Sequence, residues 1–427
     1  MSRVRWMFGL LACVALPALA ETVAITGGKV VTLGPAGTID NGTVVIQDGR
    51  ISAVGRDVAV PAGARRIDAT GKVVTPGLMD AMSRLGLIEV GAVEDTVDTR
   101  TEYDRITAAY EVADALNPRS ITMATNRIMG ITRAVVAPQA GTSVIAGQGA
   151  VITLGGPGVP GGYLVRSPVA MYAVLGSGGE RFAGGSRAAA LLRLREALAD
   201  ARDYAPNRSS YEQGERREYS LSRLDLEALQ PVVRGEMPLV VSVNRASDVQ
   251  VVLRMAREEK LKIMLAGCGE CWEVADEIAA ARVPALITPL NNLPATFDVL
   301  GATLENAARL HKAGVPLAFI STGSSEAYSI RQNAGNAVAY GLPWEVALAA
   351  MTTVPARLFG IADRYGTLEP GKDADVVVWT GDPLEVTTYP TAVFIRGAEM
   401  PIRSRQLDLR DRYRDVGGAT PPGFRKP

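Results

Sequence analysis

The sequence of 427 residues contains a single histidine, His311, and three cysteines, one of which lies within the first twenty residues. A metal centre or catalytic site built from several imidazoles is therefore excluded, and so few cysteines cannot replace them as ligands. No lysine occurs between Lys72 and Lys260. The 45 basic residues balance the 45 acidic residues, so a dedicated nucleic-acid surface is not expected.

Long apolar runs are scarce as well, and no segment after the first twenty residues predicts a membrane helix. The N-terminus has two arginines, then a short apolar core, Trp6 to Leu16, and the small-x-small site Ala18-Leu19-Ala20. This pattern predicts a secretory signal peptide over residues 1–20 and a periplasmic or secreted protein. Alternatively, Leu10-Leu11-Ala12-Cys13 is a lipoprotein box with an acylated cysteine.

The chain has two kinds of hydrophobic pattern, and together they indicate the fold. Short strands punctuated by Asn41-Gly42 and Asp48-Gly49 fill the region before Val73, and strands return after Gly366. Between them, apolar strand-like runs alternate with amphipathic helical stretches, which predicts a (β/α)8 barrel. The predicted organisation is a signal peptide (1–20), the first part of a composite β-sandwich (21–74), the barrel (75–365), the second part of the sandwich (366–402) and a C-terminal tail (403–427).

Two motifs carry a family resemblance. The segment Val74 to Ala81, with sequence VTPGLMDA, and the segment Gly366 to Asp375, with sequence GTLEPGKDAD, flank the barrel-like region. They resemble the segments through which amidohydrolase superfamily proteins enter and leave their barrel, in particular imidazolonepropionase-like and dipeptidase-like members. The resemblance implies a hydrolase acting on carbon–nitrogen bonds other than peptide bonds, with zinc or another divalent metal at the C-terminal mouth of the barrel.

The metal ligands that the resemblance implies are missing from this chain. The family's His-x-His pair matches Met82-Ser83-Arg84, the strand 5 histidine matches Asn244, the strand 6 histidine falls near Gly267 and the strand 8 aspartate matches Gly323. A carboxylated lysine has no candidate either. Because a thioether or a guanidinium does not replace an imidazole on a divalent cation, no metal cofactor is expected. The predicted pocket at the mouth comprises Met82, Arg84, Asn244, Gly267, Cys268, Glu270, Thr322, Gly323 and Ser324.

Several other features have two interpretations. Cys268-Gly269-Glu270-Cys271 is either a redox dithiol at a helix N-terminus or a local disulfide or pair of packed thiols. His311 ends a predicted helix on the outer ring, where histidine commonly caps carbonyl groups. A glycine-rich segment, 141–149, resembles a loop of secreted family members and is expected to shape the pocket wall. The carboxyl groups that follow strand 1 either do acid–base work, bind Ca²⁺ or are solvated; they are Asp80, Glu89, Glu94, Asp95 and Asp98.

Three function classes follow. The sequence favours a catalytically degenerate, metal-free member that acts as a binding or partner subunit, beside an active paralogue or as a homo-oligomer. The alternatives are an enzyme with metal-free chemistry at the mouth and a hydrolase with an unusual oxygen-ligated metal. A buried Arg84 needs a partner, for which Asp80, Glu270, an anionic ligand or water are the candidates. We therefore expect a small carboxylate or amide ligand.

Overall fold

The computed structural model describes residues 21–414 except Thr322, Ser324 and Ser325. The predicted signal peptide and residues 415–427 lie outside the described part. The strands are β1 (Val23–Val31), β2 (Thr38–Gln47), β3 (Arg50–Gly55), β4 (Arg65–Asp68), β5 (Val73–Pro76), β6 (Leu78–Ser83), β7 (Ile131–Val136), β8 (Ile145–Thr153), β9 (Leu164–Val174), β10 (Leu239–Val243), β11 (Ile263–Gly267), β12 (Ala285–Ile287), β13 (Leu317–Phe319), β14 (Val376–Trp379), β15 (Pro390–Ile395) and β16 (Ala398–Glu399).

Helices begin at residue 121 and separate most of the barrel strands, except that β7, β8 and β9 follow one another directly. The α-helices are α1 (Ile121–Arg127), α2 (Ser177–Glu180), α3 (Arg187–Glu212), α4 (Arg223–Ala228), α5 (Gln230–Val233), α6 (Ala246–Glu258), α7 (Ala275–Ala280), α8 (Asn306–Lys312), α9 (Ser329–Ala339), α10 (Trp344–Ala349), α11 (Thr353–Leu358) and α12 (Arg405–Tyr413). Short 3₁₀ turns cover Glu94–Thr96, Val112–Ala115 and Cys271–Val274. Within the described ranges, no helix combines the length and hydropathy needed to cross a bilayer.

The apolar patterning of the sequence explains these elements. All six residues of β7 are buried, as expected for a strand covered on both faces. In α6, Val249, Val252 and Met255 recur at helical spacing and are buried, so one face of the helix packs on the barrel. The long helix α3 begins at Ser186, whose hydroxyl accepts a hydrogen bond from Ala189 N at 3.3 Å and so caps the helix.

Strands from both ends of the chain share one sheet. Its order is β16-β15-β14-β5-β1-β2-β3, with β4 paired to β1. The two ends meet where β14 pairs antiparallel with β5, for example Val377 with Thr75. Ile25, Val44 and Phe394 belong to a separate small hydrophobic core on this sheet. The N-terminal strands therefore depend on the C-terminal strands for their pairing and burial.

The second sheet forms the barrel. Its order is β13-β12-β11-β10-β9-β8-β7-β6, and β13 lies beside β6, so the sheet is nearly closed. This architecture confirms the predicted (β/α)8 barrel class. One strand departs from it: β8 runs antiparallel to both β7 and β9. The interpretation of residues 141–149 as a loop was therefore wrong for residues 145–149, which belong to β8.

The C-terminal segment contains one helix. Residues 403–427 were expected to be a tail whose alternating charges over 403–414 indicate a solvated helical face or a subunit contact, and α12 occupies part of this segment. The hydroxyl of Ser404 accepts a hydrogen bond from Leu407 N at 3.3 Å and caps the helix. Gln406 lies 2.9 Å from the hydroxyl of Thr125 on α1. The alternating charges of this segment thus form a solvated helix rather than an unstructured tail up to residue 414.

A buried arginine joins the two sheets. Arg133 on β7 lies 2.7 Å from Asp373 and 3.0 Å from Asp375, and all three side chains are buried. The guanidinium also stacks over Tyr365, 4.7 Å from the ring centroid. Since the two carboxylates directly precede β14, this cluster fixes the composite sheet against the barrel. Asp373 and Asp375 therefore lie at the junction between the composite sheet and the barrel.

Candidate functional site

The C-terminal ends of the barrel strands surround a cavity of about 280 Å³. Met82, near the end of β6, and Arg84, just beyond the strand, lie in its wall, so the strand that would carry the family's first metal ligands leads directly into this cavity. The other lining residues come from the segments after β6 and β7, from β8 to β10 and from the region of α2: Arg100, Pro138, Gln139, Ala140, Ala146, Tyr172, Ala173, Val174, Gly178, Arg181 and Ser242. A larger depression of about 610 Å³ lies at the opposite end of the barrel, where β9 to β12 begin.

Arg84 is held by a residue that the sequence did not identify. The amide of Gln139, oriented so that both of its polar atoms are satisfied, accepts from Nε and one Nη of Arg84 at 3.3 and 3.1 Å. The same amide donates to the hydroxyl of Thr99 at 2.7 Å. Burial lowers the pKa of Arg84, and the nearby charge of Asp80 raises it. The predicted need for a partner is met by a neutral amide, which leaves the positive charge of Arg84 uncompensated by hydrogen bonding.

Asp80 lies beneath the cavity, fully buried in β6. Its Oδ1 accepts hydrogen bonds from Met82 N at 2.9 Å and from Ser321 N at 3.4 Å, whereas Oδ2 has no partner among the described residues. Burial raises the pKa of Asp80 to about 6, against these hydrogen bonds and the charge of Arg84, which lower it. Asp80 thus influences Arg84 through its charge and is not itself part of the cavity wall.

Tyr172 supplies a second unsatisfied polar group. It lies on β9, is 3% exposed and lines the cavity. Its hydroxyl has no hydrogen-bond partner in the described part of the chain. Burial, followed by the charge of Asp80, raises the pKa of this phenol, so it is a neutral donor at physiological pH. A donor that is buried and unpaired beside a cavity is suited to an acceptor on a ligand.

A charged cluster positions the segment that closes one side of the cavity. Arg187, at the start of α3, lies 2.7 Å from Asp298, 3.5 Å from Asp248 and 3.8 Å from Glu180. Asp298 also accepts a hydrogen bond from Ser177 N at 3.1 Å. These contacts tie α2, α3 and α6 to the segment after β12. They hold in place the turn that supplies Gly178 and Arg181 to the cavity wall.

Among the described residues, the other predicted pocket residues have local structural contacts and are not part of the wall of this cavity. Asn244 Oδ1 accepts from Gly269 N at 3.2 Å, and Gly267 leaves room for that side chain. Glu270 accepts from the backbone amides of Ala246 at 3.1 Å and Gly301 at 2.9 Å. Glu270, one of the four candidate partners of Arg84, is therefore engaged elsewhere, because the turn after β11 directs this carboxylate to the start of α6.

The CxxC motif forms a disulfide. Cys268 and Cys271 are bonded to each other, and both residues are fully buried. Of the interpretations given for this motif, the structure therefore agrees with the local disulfide. Gly323 lies in the segment after β13, where its carbonyl accepts from the Ser321 hydroxyl at 3.0 Å, and it does not line the cavity. Thr322 and Ser324 lie outside the described residues.

The acidic residues after strand 1 do not come together. Glu89 accepts hydrogen bonds from Asn117 and from the backbone of Ile121, and Glu94 and Asp95 are exposed in a short 3₁₀ turn. The single histidine lies in the last turn of α8, beside the residues that lead into β13, far from the mouth. Its position agrees with the interpretation of His311 as a helix-end residue.

The donor set at the mouth does not fit a divalent metal. The family's ligand positions hold a thioether, a guanidinium, an amide whose oxygen is already engaged, and glycines. Among the residues that the structure describes, no three His, Cys, Asp or Glu side chains are grouped so that they could hold a metal ion. Near these positions the described residues include the carboxylates of Asp80, which is buried, and of Glu326, which lies against Gly323, but neither belongs to a group of three potential ligands.

Sequence reasoning missed Gln139, Tyr172 and Arg181 as cavity residues. One signal could have found the first two, since both lie at or directly after the C-terminal end of a predicted barrel strand. Arg181 follows the short helix α2, whose position depends on the Arg187 cluster rather than on a local pattern.

Comparisons with known proteins agree with this architecture. The profile of the Amidohydrolase family matches residues 251–402. Amidohydrolase tasK of Hapsidospora irregularis is 24% identical over 83% of this chain, which spans 39% of that protein's length. An imidazolonepropionase of Polaromonas sp. is 27% identical over 84% of this chain and 87% of its own. The crystal structure of an amidohydrolase from Thermotoga maritima superposes with a TM-score of 0.80 at 26% identity, covering 89% of this chain and all of its own.

Proposed function

We propose, from the premise that this chain belongs to the amidohydrolase superfamily of hydrolases, that it binds a small ligand at its barrel mouth without a metal ion and acts as a binding or partner subunit. One observation carries the proposal. Arg84, which the family resemblance matches to a metal-ligand position, lines the cavity and is held there by Gln139. A fixed positive charge at this point repels a divalent cation, and it attracts the kind of group that such a cation would have bound.

A second candidate function is metal-free hydrolysis of an amide or cyclic amide. Asp80 favours it, because a carboxyl group whose pKa is raised to about 6 suits general base catalysis near neutral pH. Asp80, however, is fully buried and is not part of the cavity wall. Its carboxylate is therefore not in contact with the space in which a substrate and its attacking water would lie. The binding function is therefore the better supported of the two.

Metal content and hydrolysis test the proposal together. The chain beginning at Glu21 is loaded with Zn²⁺ or Mn²⁺, dialysed and analysed for metal, and the same sample is assayed on dipeptides and cyclic amides. We expect less than about 0.2 equivalents of metal, because nitrogen and oxygen ligands are lacking. We also expect no turnover above the buffer blank.

Matched variants identify the source of any metal that is retained. Metal that is lost in His311→Gln but kept in Arg84→Ala is adventitious binding to one imidazole. Stoichiometric metal that is lost on changing Met82 or Asp80 would overturn the proposal. Turnover that disappears in Asp80→Asn would replace it with the metal-free hydrolase.

We further propose that the protein works in the periplasm or outside the cell after removal of residues 1–20. The Cys268–Cys271 disulfide supports an oxidising compartment. Intact-mass analysis of the protein from the periplasmic fraction should give a chain that starts at Glu21. A mass that corresponds to an acylated Cys13 would instead identify a lipoprotein, and an unprocessed chain in the cytoplasmic fraction would contradict the proposal.

A further inference from the structure

The cavity at the barrel mouth has the charge of an anion site. Arg84 lies in its wall, and Arg100 and Arg181 stand at its exposed rim. No acidic side chain is among the described residues that line it. Arg100 is 2.6 Å from Glu102, but both of these side chains are exposed, so the pair is weak and exchangeable. The buried carboxylate of Asp80 offsets one of these three positive charges, and the exposed arginines at the rim keep the cavity net positive, so a ligand of opposite charge is favoured.

Two side chains of the cavity wall, Arg84 and Tyr172, have hydrogen-bond donors without acceptors among the described residues. A guanidinium carries five N–H groups, and Gln139 occupies those on Nε and one on Nη of Arg84. The remaining Nη protons are available on the side away from Gln139. Tyr172 adds a hydroxyl that has no partner within the described chain although the residue is 3% exposed. These two donors are complementary to oxygens of one ligand.

Part of the remaining wall is apolar, beside the polar side chains of Gln139 and Ser242. Met82, Ala146 and Val174 provide hydrocarbon surface beside the donors. A volume of about 280 Å³ lies at the lower end of the range of small-molecule sites, so the ligand has on the order of ten non-hydrogen atoms. Inorganic phosphate would leave this apolar surface uncovered, whereas an acid with a short hydrocarbon body would cover it.

We infer that the cavity binds a small carboxylic acid, whose carboxylate pairs with Arg84 and whose hydrocarbon body lies against Met82, Ala146 and Val174. This inference rests on the proposed metal-independent binding function and gives its ligand class. Tyr172 donates to a carboxylate oxygen or to a second acceptor on the ligand. Gln139 is a positioning residue, because it fixes the plane of the guanidinium and does not itself require the ligand.

Calorimetric titration with matched acid and amide pairs tests the inference. The probes are hexanoate with hexanamide and N-acetyl-L-leucine with N-acetyl-L-leucinamide, and inorganic phosphate serves as the anion without an apolar body. We expect at least one acid to bind to the mature chain, and we expect its amide and phosphate to bind at least about tenfold more weakly, because a charge-assisted contact is lost with the amide and apolar burial is lost with phosphate.

Three variants locate the binding. Arg84→Gln should weaken binding of the acid by about tenfold to a hundredfold, since it removes the charge. Tyr172→Phe should weaken it by about fivefold to tenfold and leave folding intact, because the hydroxyl has no partner to lose. Arg56→Gln, an exposed arginine on the composite sheet side, controls for a change in net charge and should bind like wild type.

The inference would be overturned if no acid binds, or if an acid and its amide bind equally well. Binding that persists unchanged in both Arg84→Gln and Tyr172→Phe would also overturn it, because the ligand would then occupy another site. Metal content and turnover are measured on the same preparation. A metal-free, inactive protein that binds no acid contradicts this inference alone, whereas a metal-loaded, active protein contradicts the proposed function.

Discussion

Asp80 is the buried carboxyl group whose ionisation the fold opposes. It has no exposed surface, and two backbone amides and the charge of Arg84 stabilise its ionised form less than burial destabilises it. Its pKa is therefore raised from 3.8 to about 6. A carboxyl group whose pKa is raised in the folded state contributes stability below its unfolded pKa, and that contribution is lost as the pH rises through the folded pKa.

The first prediction concerns the pH dependence of stability. Between pH 4 and pH 8, the titratable groups that interact with Asp80 are Arg84, just beyond its strand, which stays charged, and Tyr172 on β9, which stays neutral. Asp80→Asn keeps the acceptor for Met82 N and removes the ionisation. Relative to wild type, its free energy of unfolding in urea should rise between pH 4 and pH 8 by on the order of 3 kcal/mol. Asp57→Asn, an exposed carboxylate, is the control and should show little change; an equal difference at both pH values for Asp80→Asn would contradict the prediction.

The second prediction compares two buried tyrosines. The hydroxyl of Tyr172 has no partner among described residues, whereas that of Tyr365 donates to the Gly77 carbonyl and lies 3.1 Å from Thr132. In the ligand-free protein, Tyr172→Phe should therefore raise the free energy of unfolding by about 1 kcal/mol, and Tyr365→Phe should lower it by about 1–2 kcal/mol. Denaturant melts of both variants give the comparison. Equal destabilisation would show that the Tyr172 hydroxyl is satisfied in solution.

At the scale of secondary-structure elements, β8 is the strand that departs from a regular parallel barrel. The strand passes between β7 and β9 in the opposite direction and brings its glycines against the neighbouring strands. A Cβ atom on Gly149 would lie 2.5 Å from the Tyr172 ring and 2.7 Å from the Val136 carbonyl oxygen. The strand can approach this closely because the position has no side chain.

A third prediction follows from that contact. Gly149→Ala should lower the free energy of unfolding by about 1–3 kcal/mol, because the methyl group meets backbone as well as the ring. It should also weaken acid binding, since the ring of Tyr172 must move. Gly158→Ala is the control, because no atom lies within 4 Å of its added Cβ, and it should change stability by less than about 0.5 kcal/mol. Similar melts for the two variants would refute the contact.

The strands of the barrel were largely predictable, and β8 was not. Runs such as residues 131–137 and 239–243 are apolar, short and bounded by turns, so the local pattern specifies the element. In β8 the buried positions include three glycine or alanine residues within Ala146 to Gly149, which have low strand propensity. Its burial comes from neighbours distant in sequence, and a local pattern does not report them.

The cavity, too, was predictable from the local sequence in some respects and dependent on tertiary contacts in others. Its position at the C-terminal ends of the strands, and the presence of Arg84, follow from the motif that enters the barrel. The contact with Gln139 depends on the register of β6 and β7, which two irregularities in their pairing shift. The placement of Glu270 depends on the turn that contains the disulfide. Neither arrangement is encoded within a short stretch of sequence.

At the scale of the whole molecule, the two sheets are joined through Arg133. Its guanidinium is 1% exposed and pairs with Asp373 and Asp375. Arg364 also contacts Asp373, at 2.8 Å, but its own side chain is 51% exposed. The two arginines thus share one carboxylate partner and differ in burial.

The fourth prediction uses this pair. Arg133→Met leaves two buried carboxylates without their main counter-charge, so the free energy of unfolding should fall by about 3–5 kcal/mol at neutral pH. Arg364→Met removes a solvent-screened contact and should cost less than about 1 kcal/mol. Thermal or chemical denaturation measures both. If the two variants lose similar stability, Arg133 is not the residue that fixes the sheets to each other.

The composite sheet also sets the order in which the chain can fold during synthesis. β1 to β3 emerge first, yet β14 to β16, which extend their sheet and fill its small core, are made about 300 residues later. Until then the early strands present unpaired edges and apolar faces to other chains. We therefore expect the nascent chain to be prone to aggregation until β14 to β16 have been synthesised.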